Sequence, residues 1–135
     1  MSATWKVCFV LVLLAGAGCS GRQGGRSEGP GRSDELREVG SMLSLYSGQY
    51  QRGPARVADL AGYEAGHPLG YQAVRSGEVV VVWGTTMPGE GDKGGTNAVV
   101  AYEKKVPTEG GLVLLHNGKV RSMTADAFRS ATQAR

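Results

Sequence analysis

The chain has 135 residues, a formal net charge of +3 and two cysteines, Cys8 and Cys19. The charge is uneven: from Asp34 to Arg135 eleven basic residues balance eleven acidic ones, and the excess sits on Lys6, Arg22, Arg26 and Arg32. A neutral domain is poorly suited to counterion-release binding of nucleic acid, and a domain without cysteine forms neither a disulfide nor a thiolate metal site.

Met1–Lys6 carries one positive charge, and Val7–Ala17 is an apolar run of eleven residues. A membrane-spanning helix needs about 20 apolar residues, so this run is too short to span. The small residues Gly16, Ala17 and Gly18 lead into Cys19, completing the order of a secretory signal. The Gly18-Cys19 junction resembles the lipobox of bacterial lipoproteins, with Gly16 where that family prefers Leu. The resemblance implies that residues 1–18 are cut off, that the Cys19 thiol carries diacylglycerol and that its new amine is acylated with a palmitate-type chain. Ordinary secretion with a free Cys19 is the alternative. Ser20 rather than Asp follows the cysteine, which in the enterobacterial sorting rule points to the outer membrane. The expectation is a protein of the cell envelope, lipid-anchored on the periplasmic side. Ser20–Ser33 holds five glycines, one proline and no large apolar residue, so residues 19–33 read as a lipidated cysteine and a flexible tether.

Residues 34–135 read as one α+β domain. Ser33 is placed to cap a helix, with Asp34 and Glu35 at its positive end. Leu36, Val39, Met42, Leu43, Tyr46 and Tyr50 recur at helical spacing and predict a helix over Asp34–Tyr50, stopped by Gly53-Pro54. Arg56–Leu60 adds a short helical turn. The period then changes. Tyr71–Arg75 and Glu78–Trp83 flank Ser76-Gly77 and read as a hairpin that pairs Val74 with Val79 and Arg75 with Glu78. Val79–Trp83 is apolar throughout and is assigned to the centre of the sheet. Ala98–Tyr102 is the next strand. Leu112–His116 and Lys119–Met123 flank Asn117-Gly118, a strong hairpin signal, in a register pairing Leu115 with Val120 and leaving Lys119 and Arg121 on a wet face. Thr124 caps a last helix carrying Ala127, Phe128 and Ala131. The predicted architecture is an N-terminal helix on an antiparallel sheet of about five strands, closed by a short helix.

A long N-terminal helix followed by an antiparallel sheet resembles the globular head of type IV pilins and type II secretion pseudopilins. The stretch GGLVLLHNGKVRSMTADAF (residues 110–128) is similar to the C-terminal segment of planctomycete pseudopilin-like proteins, with Asn117 where those often carry Asp. Their prepilin peptidase site and long apolar assembly helix are replaced here by the lipobox and tether. The resemblance therefore implies a pilin-like head on a lipid anchor, not a polymerising subunit.

The Gly-rich stretch Gly84–Asn97 lacks the Gly-Lys-Ser/Thr ending and the following helix of a phosphate loop. Calcium takes six to eight oxygens. This loop offers two carboxylates, Glu90 and Asp92, so it reads as a mobile surface loop with those two as the calcium candidates. His67 and His116 both flank turns and lack zinc-type spacing. Trp83, Tyr71 and Tyr102 on neighbouring strands form either a stacking platform for sugar or peptide, or core packing. The leading expectation is a non-enzymatic binding or structural domain without cofactor, whose partners are the membrane through its lipid and an envelope protein. The alternative is a small envelope hydrolase using His116 or Glu103 near Trp83.

Overall fold

Helix α1 spans Arg32–Tyr50 and buries Leu36, Val39, Met42, Leu43 and Tyr46 along one side, the predicted face except for Tyr50, which is exposed. It begins two residues earlier than expected: Gly31 is the N-cap, without a side-chain capping bond, and Ser33 lies inside the helix. Arg32 is drawn in because its guanidinium faces Glu35, Glu78 and Glu103. The helix ends at Tyr50 as expected, but its stop is Gln51 and not Gly53-Pro54: Gln51 takes a left-handed conformation, its N–H reaches the Ser47 carbonyl, and its side-chain amide donates to the Gly48 carbonyl.

The computed structural model describes residues 31–89, 94–131 and 133–134. Within these, a 3-10 helix at Val57–Tyr63 follows α1, then helix α2 (Pro68–Ser76), strand β1 (Val79–Val81), strand β2 (Val99–Glu103), a single turn α3 (Val106–Glu109), strand β3 (Gly111–Leu115), strand β4 (Val120–Met123) and helix α4 (Ala125–Ser130). The fold is α+β, with a four-stranded antiparallel meander ordered β1-β2-β3-β4.

The strand expected over Tyr71–Arg75 is α2, so the Ser76-Gly77 hairpin and its Val74–Val79 and Arg75–Glu78 pairs do not form. Pro68 at the first turn supplies a helical φ, and Gly70, Tyr71, Ala73 and Val74 give the buried side a helical period. Gly77 is the left-handed C-cap of this helix, with φ 82°. α2 crosses α1 closely at Gly70, where a Cβ would meet the Val39 nitrogen at 2.8 Å. The Gly70 N–H donates to Glu38 Oε2 at 2.7 Å.

β1 is an edge strand rather than the sheet's centre, and its partner is β2, with Val80 opposite Tyr102. Val79 and Val81 are buried, whereas Val80 between them is partly exposed. An all-apolar run thus describes an edge whose second face is only half covered. Consequently α1 does not rest chiefly on β1. It lies against α2 and across β3, where Gly40 meets Leu114, and α2 covers β1.

The β3–β4 hairpin forms with a shifted register: Leu114, not Leu115, pairs with Val120. The turn has three residues, His116-Asn117-Gly118, with Gly118 at φ 78°. A type I turn followed by a left-handed glycine makes that bulged hairpin. Its second face is not simply wet. Arg121 is exposed there, but Val113 and Leu115 of β3 are buried with Val99, Val106 and Phe128 beneath α4. Thr124 caps α4 as expected, its Oγ1 accepting the Ala127 N–H at 3.1 Å. The main core lies on the opposite face, between the sheet and the α1–α2 layer.

Candidate functional site

Two polar centres stand at opposite ends of β2. At the C-terminal end, Glu103 is 3% exposed. Its Oε2 accepts the Leu112 N–H at 2.7 Å, where the chain re-enters the sheet after α3. Arg32 Nε lies 3.8 Å from Oε1, and Lys105 Nζ 4.0 Å from Oε2. Arg32 also reaches Glu78 at 3.4 Å. A buried carboxylate needs such partners, because an unpaired ion in an apolar interior is costly. Together these groups join the start of α1, the approach to β1 and the α3 turn.

At the other end, His116 occupies the β3–β4 turn. Its backbone N–H donates to the Ala98 carbonyl at 2.8 Å, and the Asn117 N–H donates to the Thr96 carbonyl at 3.0 Å. The ring is engaged at both nitrogens. Nε2 lies 2.8 Å from the Thr86 carbonyl, and the Thr96 N–H points to Nδ1 at 3.2 Å. A carbonyl only accepts and an amide N–H only donates, so these two contacts match a neutral ring with its proton on Nε2. Thr96 Oγ1 is 3.5 Å from Nδ1 and also accepts the Ala98 N–H at 3.3 Å. A general base and its nucleophile lie at about 2.6–3.2 Å. The arrangement therefore works first as a tie between three backbone segments.

His116 lines two cavities. One, of about 580 Å³, is a groove between Gly40, Ser44 and Leu45 on α1 and the segment Met87–Gly89. The second, about 940 Å³ and shallower, lies among Thr85, Thr86, Thr96 and Ala131. The first part of the Gly-rich stretch is not the free surface loop expected. Thr85 and Met87 are each 4% exposed. The Met87 N–H donates to Ser47 Oγ on α1 at 3.0 Å, and Thr85 Oγ1 donates to the Val82 carbonyl at 2.9 Å.

The three aromatic residues are not assembled into a platform. Tyr71 is on α2, buried in the main core, and Trp83 is partly buried against the same core. Tyr102 belongs to the opposite face of the sheet, tilted against Phe128 with ring centroids 4.6 Å apart. His67 is the N-cap of α2, without a side-chain capping bond. Glu90, Asp92 and Cys19 lie outside the described residues. Among the described residues no group of three or more His, Cys, Asp or Glu is placed to hold a metal ion.

Sequence reasoning singled out His116 and Glu103 but not their partners. Arg32 had been assigned to the tether, and the partners of His116 are chiefly backbone atoms of Thr86 and Thr96, which carry no side-chain signature. Comparison with known family models, curated proteins and solved structures gives no match for this chain.

Proposed function

We propose that the chain is an exported, lipid-anchored envelope protein whose pseudopilin-like head acts by binding or as a structural element, not as an enzyme. One observation carries the non-enzymatic part. The two side chains best suited to acid–base chemistry, His116 and Glu103, are both engaged in holding backbone: one at Thr86 and Thr96, the other at Leu112. They also lie at opposite ends of β2, so they do not act together on one substrate. The anchoring part rests on the Val7–Ala17 run and the Gly18-Cys19 junction. The head is then reached through α1, whose 19 residues extend about 28 Å, at 1.5 Å per residue, away from the tether. The groove beside Gly40–Gln49 belongs to the half of α1 remote from the tether.

The test of anchoring is fractionation with mass measurement. The mature protein is expected to begin at an acylated Cys19, and Cys19→Ala to release the head from membranes or to stall cleavage. An unmodified Cys19 in membrane-bound protein removes the lipoprotein reading. The hydrolase reading keeps one observation, the Thr96 hydroxyl near Nδ1 of a ring oriented by the Thr86 carbonyl. Thr96→Val separates the two, because it deletes the hydroxyl and leaves the backbone N–H. Ester turnover by the native chain that disappears in this variant would establish the hydrolase instead.

A further inference from the structure

We propose that His116 is a pH-sensitive pin, its Nδ1 holding the Thr96 N–H only while the imidazole is neutral, beside a bond from the Asn117 N–H to the Thr96 carbonyl that does not depend on the ring. The polarity of the two ring contacts makes the case. Nδ1 accepts from the Thr96 N–H and Nε2 donates to the Thr86 carbonyl. When a proton from water takes the Nδ1 lone pair, the ring becomes a donor at both nitrogens. The bond to the Thr86 carbonyl survives. The Thr96 N–H then faces another N–H and loses its acceptor. Histidine is the side chain whose ordinary titration falls between about pH 5 and 8.

Among the described residues that line the two cavities, none offsets the added charge. Among the described residues, α1 turns Gly40, Ser41, Ser44, Leu45, Gly48 and Gln49 towards the groove. The segment before the turn presents Thr85, Thr86, Met87 and Pro88, and the C-terminal segment presents Ala131, Gln133 and Ala134. None of these is charged. Lys119, the nearest charged residue in sequence, is exposed beyond the turn and is itself a cation. His116 is also the residue common to the linings of both cavities, so a change in its bonding acts on the wall between them.

Backbone hydrogen exchange of the full chain in detergent micelles, at pH 7.5 and 5.5 and corrected for intrinsic rates, tests the pin. Protection of the Thr96 amide is expected to fall about tenfold at the lower pH, as for the loss of one hydrogen bond. The Met87 amide, held by Ser47, serves as the internal control and is expected to stay unchanged. His116→Asn does not titrate and is expected to show no pH-dependent change at Thr96, whatever its starting level. Three outcomes overturn the proposal: equal Thr96 protection at both pH values in the native chain, a parallel fall in His116→Asn, or an imidazole that NMR titration finds still neutral at pH 5.5.

Discussion

The two ends of β2 solve the same problem with different chemistry. At each, one side chain holds backbone that the sheet itself does not pair. Glu103 does so as a buried anion, accepting the Leu112 N–H with Arg32 and Lys105 nearby. His116 does so as a partly exposed neutral ring, donating from one nitrogen and accepting at the other. The carboxylate end is fixed by burial and charge together. The imidazole end is held by two neutral hydrogen bonds within reach of water, so the two differ in how much they stabilise and in what can undo them.

The core between the ends sets the scale. Leu43 is 1% exposed and Leu45, two residues on, is 47% exposed. Leu43→Ala is expected to cost about 2–5 kcal/mol, the usual range for a buried leucine. Leu45→Ala should stay within about 0.5 kcal/mol, as surface changes do. Urea unfolding of the full chain measures both. Equal, small losses would mean that α1 does not seal the main face of the sheet.

Glu103→Ala comes next, at about 1–3 kcal/mol, because the buried Leu112 N–H loses its acceptor. Glu103→Gln keeps an acceptor and should cost less. Identical losses for the two would show that the hydrogen bond is not what Glu103 supplies. At the imidazole end His116→Ala should cost about 0.5–1.5 kcal/mol, the net worth of ordinary hydrogen bonds. A loss at His116 exceeding that at Glu103 would reverse the ranking of the two ends.

The smallest effect is expected at Asp59. Its carboxyl is held below the ordinary value of 3.8 chiefly by the Ala55 N–H, then by Arg56, against an opposing contribution from desolvation. A carboxylate with a depressed folded value adds stability above its unfolded value and loses it as pH falls through the folded one. Native protein should therefore lose this contribution below about pH 4, and Asp59→Asn should not. Thermal melting at pH 5 and pH 3 reads the difference. A drop in melting temperature as large in Asp59→Asn as in the native chain would remove Asp59 from the acid response.

What the sequence made legible is local and repetitive. The spacing of Leu36, Val39, Leu43 and Tyr46 describes the α1 face, and Thr124 announces α4 through a bond three residues away. The α2 segment was obscured because Tyr71, Ala73 and Val74 fit both a strand and one side of a helix. Pro68 and Gly77 decide for the helix only when taken as its start and its cap. The one-residue slip at the hairpin arises because Asn117-Gly118 serves a two-residue turn or the end of a three-residue one. The polar centres were half legible. A titratable residue can be noticed in a sequence, but Arg32 is separated from Glu103 by about half of the chain, and the Thr86 carbonyl and Thr96 N–H are groups that nearly every residue possesses.

Whether His116 holds structure or acts as a free base is written in the protonation of its ring. Nitrogen-15 spectra of its imidazole in the native chain at pH 7.5 test this most directly. A ring that ties backbone should show a single neutral tautomer, with the proton on Nε2 and Nδ1 as the acceptor of the Thr96 N–H. A ring that averages between both tautomers, or carries its proton on Nδ1, would contradict it.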